Sequence, residues 1–168
     1  MTERIISLQH MLLENFKTWS QGDHYGGSEL PLADQWDAKF LGFHVETLDP
    51  GKFSCPYHLH RGEEELFIAL KGTCVLRQDG KFRRVQAGDL VFFPTGVCHH
   101  FYNPGPEVFI FFALSNRNQQ DVCEYPDSRK VMERNTRRIL QDGKEISDYW
   151  AGEENPRSLW PAEWLKPL

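Results

Sequence analysis

The chain of 168 residues has no uncharged apolar run of about 18 residues or more, the length a membrane-spanning helix requires. Its start, "MTERIISLQHMLLENFKTW", lacks the uninterrupted apolar core and small-residue cleavage site of a signal peptide. A cytoplasmic protein with no membrane partner is expected. Runs of lysine or arginine are also missing, and a net charge of −5 with a pI near 5.8 gives no electrostatic reason to bind a phosphate backbone. No nucleic-acid partner is expected. Cys55, Cys74, Cys98 and Cys123 form no CxxC pair, which argues against a zinc knuckle or redox motif and leaves four free thiols. No internal repeat or low-complexity segment stands out, so a single domain is the starting assumption.

What is present is enough apolar material for a core: 40% hydrophobic and 13% aromatic residues. Between Phe40 and Leu114 it falls into short runs rich in β-branched and aromatic residues, bounded by Gly, Pro, Asn or Asp. These predict strands over Phe40–Leu48, Leu66–Leu70, Cys74–Gln78, Lys81–Val85, Leu90–Phe93 and Val108–Leu114. Packing them yields an all-β sandwich or barrel. In "VLRQDGKFRRV" the Asp79-Gly80 pair predicts a hairpin, because a type I′ turn needs positive φ at both central residues.

Three regions follow: an N-terminal extension over 1–39, a strand-rich barrel over 40–115 and a C-terminal extension over 116–168. In the first, Ile5, Leu8, Leu12, Leu13 and Phe16 have a spacing compatible with a short amphipathic helix packed on the barrel, an added strand being the alternative. The last is polar at its start, carries a second Asp-Gly turn at Asp142-Gly143, and ends with Trp160 and Trp164 among prolines. Such large aromatics need cover, so the tail is expected to dock on the barrel or on a second subunit. A small barrel with apolar edges commonly pairs, and a homodimer is expected.

The chemistry concentrates in "CPYHLHRGEEELFIALKG" and "GDLVFFPTGVCHHFYN". In extended chain His58 and His60 point to the same face, because side-chain direction alternates with period two, so both imidazoles can reach one ion. Glu65 follows across a short turn, and His99 sits just beyond the Pro94/Gly96 turn. By the same alternation His100 faces away from His99 and reads as an outer or interface residue. Glu63 and Glu64 read as solvated or hinge-side carboxylates, and His10, His24 and His44 have no local partner pattern. Phe67, Phe93, Phe101, Phe109 and Phe111 are expected in the core, and Cys98 as a small hydrophobe or a pocket wall. Gly72, Gly88 and Gly96 read as turn glycines.

These two stretches resemble the cupin motifs. The first motif is matched by Gly51, His58-Leu59-His60, Glu65 and Gly72, with six rather than five residues between Gly51 and His58. The second is matched without deviation by Gly88, Pro94, Gly96, His99 and Asn103. The resemblance implies a cupin jelly roll, a double-stranded β-helix, with a divalent metal held by His58, His60, Glu65 and His99. Glu64 is excluded as the ligand within that motif because only Glu65 keeps the six-residue interval to Gly72. Imidazoles and a carboxylate suit Fe, Mn, Ni, Cu, Co or Zn, and an octahedral ion keeps about two positions open. The expected function is therefore a metal-dependent enzyme of dioxygenase or isomerase type acting on a small organic molecule. The alternative is a non-catalytic small-molecule or sugar-binding sensory cupin.

Overall fold

Fourteen strands, one short helix and two 3-10 turns organise the computed structural model, which describes residues 4–8 and 15–167. The strands are β1 (Lys17–Gln21), β2 (Tyr25–Leu30), β3 (Gly42–Leu48), β4 (Leu59–His60), β5 (Glu65–Lys71), β6 (Thr73–Gln78) and β7 (Lys81–Gln86). They continue with β8 (Leu90–Phe93), β9 (His99–Tyr102), β10 (Phe109–Ser115), β11 (Val122–Tyr125), β12 (Lys130–Glu133), β13 (Ile139–Gln141) and β14 (Lys144–Ile146). The helix α1 (Leu32–Gln35) follows β2. No helix of the described residues is long and apolar enough to cross a membrane.

One sheet has the order β1-β2-β3-β10-β5-β8. Facing it are β14-β13-β12-β11-β4 and β7-β6-β9, and a His58–His99 bridge stitches these last two groups together. The result is a double-stranded β-helix, the jelly roll that the cupin resemblance implies and one form of the all-β sandwich or barrel expected from the strand pattern. All six predicted strands are present within two residues of their ends, the largest difference being a start at Gly42 rather than Phe40. Phe40 and Leu41 are exposed, so they contribute nothing to the alternation that defines β3.

The alternation of β10, "FIFFALS", shows how the sequence builds two layers of core. Phe109, Phe111 and Ala113 point between the sheets and pack with Leu48, Leu76, Phe93 and Phe101. Ile110 and Phe112 face outward, yet they too are covered, by Phe16, Leu30, Leu32 and Val45. Each buried aromatic or branched side chain contributes about 1.5–3 kcal/mol, so both faces of this strand hold the fold together. The Asp79-Gly80 hairpin forms as expected, with φ of 46° and 72° and Gln78 opposite Lys81.

The helix expected over Ile5 to Phe16 falls partly outside the described residues, while the residues that follow supply strands, the alternative expected for this region. Lys17 to Leu30 form the β1–β2 hairpin, which extends the first sheet through β2–β3 pairing. Leu12 and Leu13 lie outside the described residues. Gly27 makes the close approach possible, because a Cβ there would meet the carbonyl oxygen of Thr47 at 1.9 Å. The polar stretch after Leu114 also contains structure the composition hides, since β11 pairs with β4 and brings Cys123 opposite His60. The Asp142-Gly143 turn joins β13 to β14.

The tail docks on the barrel. Trp160 is 5% exposed and inserts among Tyr25, Phe53, Val75 and Tyr102, while Trp164 stacks on Phe82. The Trp160 indole N–H donates to His100 Nε2 at 3.0 Å. This overturns the expectation of an outer or interface position for His100, which is 1% exposed. Alternation did turn it away from His99, but the C-terminal segment covers that side.

Candidate metal centre

The backbone sets three histidines on one wall. His58 N–H donates to His99 O at 3.2 Å and His99 N–H returns a bond to His58 O at 2.8 Å. Residues exchanging both bonds in an antiparallel pair are directly opposite, so their side chains leave on the same face. His60, two residues beyond His58, shares that face. The ring centroids of His58 lie 5.0 Å from His60 and 4.6 Å from His99. Glu65 opens β5 on the opposite sheet and reaches across, its Oε2 2.9 Å from His99 Nε2 and 3.7 Å from His60 Nε2. One ligand atom each from His58, Glu65 and His99 lies within 4.8 Å of the others.

Each imidazole is held through its Nδ1. That atom faces Pro56 O at 2.9 Å in His58, Asp121 Oδ2 at 2.6 Å in His60 and Val97 O at 3.1 Å in His99. A carbonyl or carboxylate oxygen can only accept, so Nδ1 carries the proton and Nε2 keeps its lone pair. Asp121 is itself fixed, because its Oδ1 accepts the Gly62 N–H at 2.8 Å. Such support orients a ligating histidine and raises its basicity.

The consequence is an electrostatic conflict at the centre. His99 Nε2 and Glu65 Oε2 are buried and have no hydrogen-bond partner, although they are 2.9 Å apart. Two acceptors facing each other in a buried site repel, and a cation between them resolves the repulsion. The donor set, three imidazole nitrogens and one carboxylate, therefore fits a divalent transition metal. Burial, and then the neighbouring His99 and His60, push His58 down to about 3. Burial opposes ionisation of Glu65, but the cluster of His99, His60 and His58 around it outweighs burial and holds the carboxylate low, at about 2. His60 moves up: burial lowers it, but the Asp121 hydrogen bond, with the charge of Glu65, wins.

The centre borders a cavity of about 240 Å³ whose floor includes Phe67, Phe101 and Phe111. Cys123 and Cys55 also line it, and burial raises both thiols. His58, His60 and Cys123 form a second possible ligand group, but a neutral thiol is a poor ligand. A third group, His60, Glu63 and Asp121, lies on the Nδ1 side of His60, where the proton is already engaged.

Two residues passed over in the sequence belong here. His44 and Glu46, alternate residues of β3, line the same cavity with Nε2 and Oε2 3.4 Å apart. Burial lowers His44 but pairing with Glu46 raises it overall, and burial raises Glu46. The H-x-E spacing on a predicted strand was the available signal. Glu63 is not the solvated carboxylate expected: it is 2% exposed and accepts a 2.7 Å bond from Arg134. Glu64 is exposed, as expected. Cys98 binds Asp79 Oδ1 through its backbone N–H at 2.9 Å, whereas Cys55 and Cys123 face the cavity.

Residues 44–115, which carry all four histidine and glutamate positions of the centre, match the family model for the cupin domain. These residues form a cupin domain. An oxalate-binding protein from Thermotoga maritima is 36% identical to it over 67 residues, 40% of this chain and 54% of that protein. The chain thus spans about half the length of that curated relative. Among solved structures, a proposed sugar phosphate isomerase from Acidithiobacillus ferrooxidans is 25% identical, with TM-score 0.68 over 85% of this chain and 90% of that one. A sugar phosphate isomerase of the cupin superfamily from Silicibacter pomeroyi shares the fold, with TM-score 0.71 and 21% identity over 85% and 96% of the two chains. This last likeness extends the cupin fold assignment well beyond residues 44–115 and into the flanking regions.

Proposed function

We propose that this cupin holds a divalent transition metal, Fe, Mn, Ni or Zn, through His58, His60, Glu65 and His99 and acts on a small organic molecule in the adjoining cavity. The observation that carries the reading is the buried, unpartnered pair His99 Nε2 and Glu65 Oε2, 2.9 Å apart. When bound, the ion would supply Lewis acidity toward a substrate oxygen, or redox chemistry if it were iron. The protein's own contribution is a fixed set of lone pairs, a largely apolar floor and a proton-holding pair. His44 Nε2 and Glu46 Oε2 share the cavity with the proposed ligands, and the direction of both shifts favours retention of a proton between them. A pair that can give and take a proton beside a Lewis acid supports isomerisation or decarboxylation more than dioxygen cleavage.

Similarity to a protein named for oxalate binding and to one named as a sugar phosphate isomerase supports a small-molecule ligand. A second reading, a module that binds without turnover, is supported by the relative named for oxalate binding. Elemental analysis of protein purified without added metal, followed by substrate screening in deuterated water and in an oxygen electrode, separates these readings. Solvent deuterium in the product, lost in Glu46→Gln with metal and ligand binding retained, supports proton-transfer catalysis. Substrate-dependent oxygen uptake supports the dioxygenase, and stoichiometric metal with ligand binding but no turnover supports the binding module.

A further inference from the structure

A larger cavity of about 750 Å³ adjoins the one beside the centre, and the two share His60, Cys123, Met132 and Tyr149 as walls. This vestibule has an unusual charge balance for a chain of net charge −5. Arg117, Arg134 and Arg137 line it, against a single carboxylate, Asp121. Asp121 is already committed, accepting from His60 Nδ1 at 2.6 Å and from the Gly62 N–H at 2.8 Å. A cavity elsewhere, beside Tyr25 and Trp150, has the reverse balance, with Asp23, Glu153 and Glu154 and no lysine or arginine.

The arginines differ in how far the fold itself uses them. Arg117 is tied to the Ala38 carbonyl at 3.0 Å and to the Asp34 carboxylate, and Arg134 donates through NH2 to Glu63. Both also border an acidic cleft with Glu29, Asp34, Glu63 and Glu65, which offsets part of their charge. Arg137 has no side-chain hydrogen bond or ion pair among the described residues, and its backbone is fixed by a 2.8 Å bond from its N–H to Glu133 O. The β12–β13 connection thus presents two guanidiniums, three residues apart, to the cavity that adjoins the centre, one of them unspent. A guanidinium is a planar fork suited to the paired oxygens of a carboxylate or phosphate.

We propose that the vestibule is an anion-binding subsite, so that the substrate is a small organic anion, a carboxylate or a phosphate ester. Its charged group is held by Arg137 and Arg134, with Arg117 adding field, and its remainder passes His60 and Tyr149 toward the centre. The assignment of this ligand as substrate rests on the metal-site reading above; the arginine subsite stands on its own geometry.

Calorimetric titration of metal-loaded protein with malonate and glycerol 3-phosphate, and with their uncharged counterparts malonamide and glycerol, tests it. Saturable binding of at least one anion is expected, with its uncharged counterpart roughly tenfold or more weaker. Arg137→Gln should weaken that anion by roughly ten- to hundredfold, the loss expected for charge-assisted hydrogen bonds, and Arg137→Lys should restore part of it. Whichever anion responds identifies a carboxylate or a phosphate as the preferred group. Equal binding of charged and uncharged probes, or anion binding unchanged in Arg137→Gln, overturns the proposal. The same titration on His99→Ala separates the two readings. Anion binding there that Arg137→Gln abolishes supports the subsite without the metal, and no anion binding in either protein overturns it.

Discussion

His99 and His100 are consecutive residues of β9, with 2% and 1% of their surfaces exposed, and they face opposite sides of the strand. His100 has spent both ring nitrogens: Nδ1 donates to Cys55 O at 3.2 Å and Nε2 accepts from Trp160 at 3.0 Å. Phe53 stacks on its ring and Tyr57 and Trp160 complete an aromatic clasp. His99 is stacked more closely still, on Phe93 at 3.8 Å against 5.5 Å for Phe53 on His100, but only its Nδ1 is engaged and its Nε2 has no partner. Burial is therefore not what marks a ligand. The mark is a buried lone pair that the fold has positioned and left unspent.

If the two sides of β9 are separate in purpose, they should fail separately. The largest effect belongs to the clasp. Trp160→Ala should destabilise the metal-free protein by about 3–5 kcal/mol, the usual cost of truncating a buried aromatic, measured by urea unfolding. Metal stoichiometry below the transition should be unchanged. On the other side, Asp121→Asn should cost about 1–3 kcal/mol in unfolding, less than Trp160→Ala, and weaken metal binding by roughly 10- to 100-fold in a competition titration, because His60 loses the carboxylate that orients it.

Acid sharpens the comparison further, because it acts on both sides. Unfolded, both His58 and His100 take up a proton near pH 6.5. In the fold His58 resists protonation down to about 3, and burial, with Arg77 nearby, depresses His100 well below its ordinary value. The unfolded state therefore binds more protons in that window, so their stabilisation is present above about pH 6.5 and is lost as pH falls toward the folded values. His60, raised by Asp121, works the other way, contributing below pH 6.5 and losing that contribution as pH rises through its folded value. His100→Gln, which keeps an acceptor for Trp160, should flatten the acid-side slope of a pH series of urea midpoints in metal-free protein. The smallest effect is expected at Glu64, which is exposed: Glu64→Gln should shift stability by less than about 0.5 kcal/mol and leave metal content unchanged.

Much of this was legible in the sequence for definite reasons. Period-two alternation placed His58 with His60 and turned His100 away from His99, because strand geometry alone dictates both. The Asp79-Gly80 turn was legible because its backbone angles restrict residue choice. What escaped depends on contacts distant in the chain. Asp121 supports His60 from 61 residues away, and Arg134 neutralises Glu63 from 71 residues away. His100 could not be seen as buried because its cover, Trp160, arrives from the tail. The β1–β2 strands were legible only as an alternative, because Gly26 and Gly27 weaken the alternation yet permit the close sheet contact that buries Tyr25 and Leu30.

The most direct test of the central claim is metal content measured side by side in wild type, His99→Ala and His100→Gln, each dialysed against the same limiting metal and checked for folding by circular dichroism. The account predicts one transition-metal ion per chain in wild type and in His100→Gln, and none in folded His99→Ala. Metal retained in His99→Ala, or absent from a folded wild type, would contradict it.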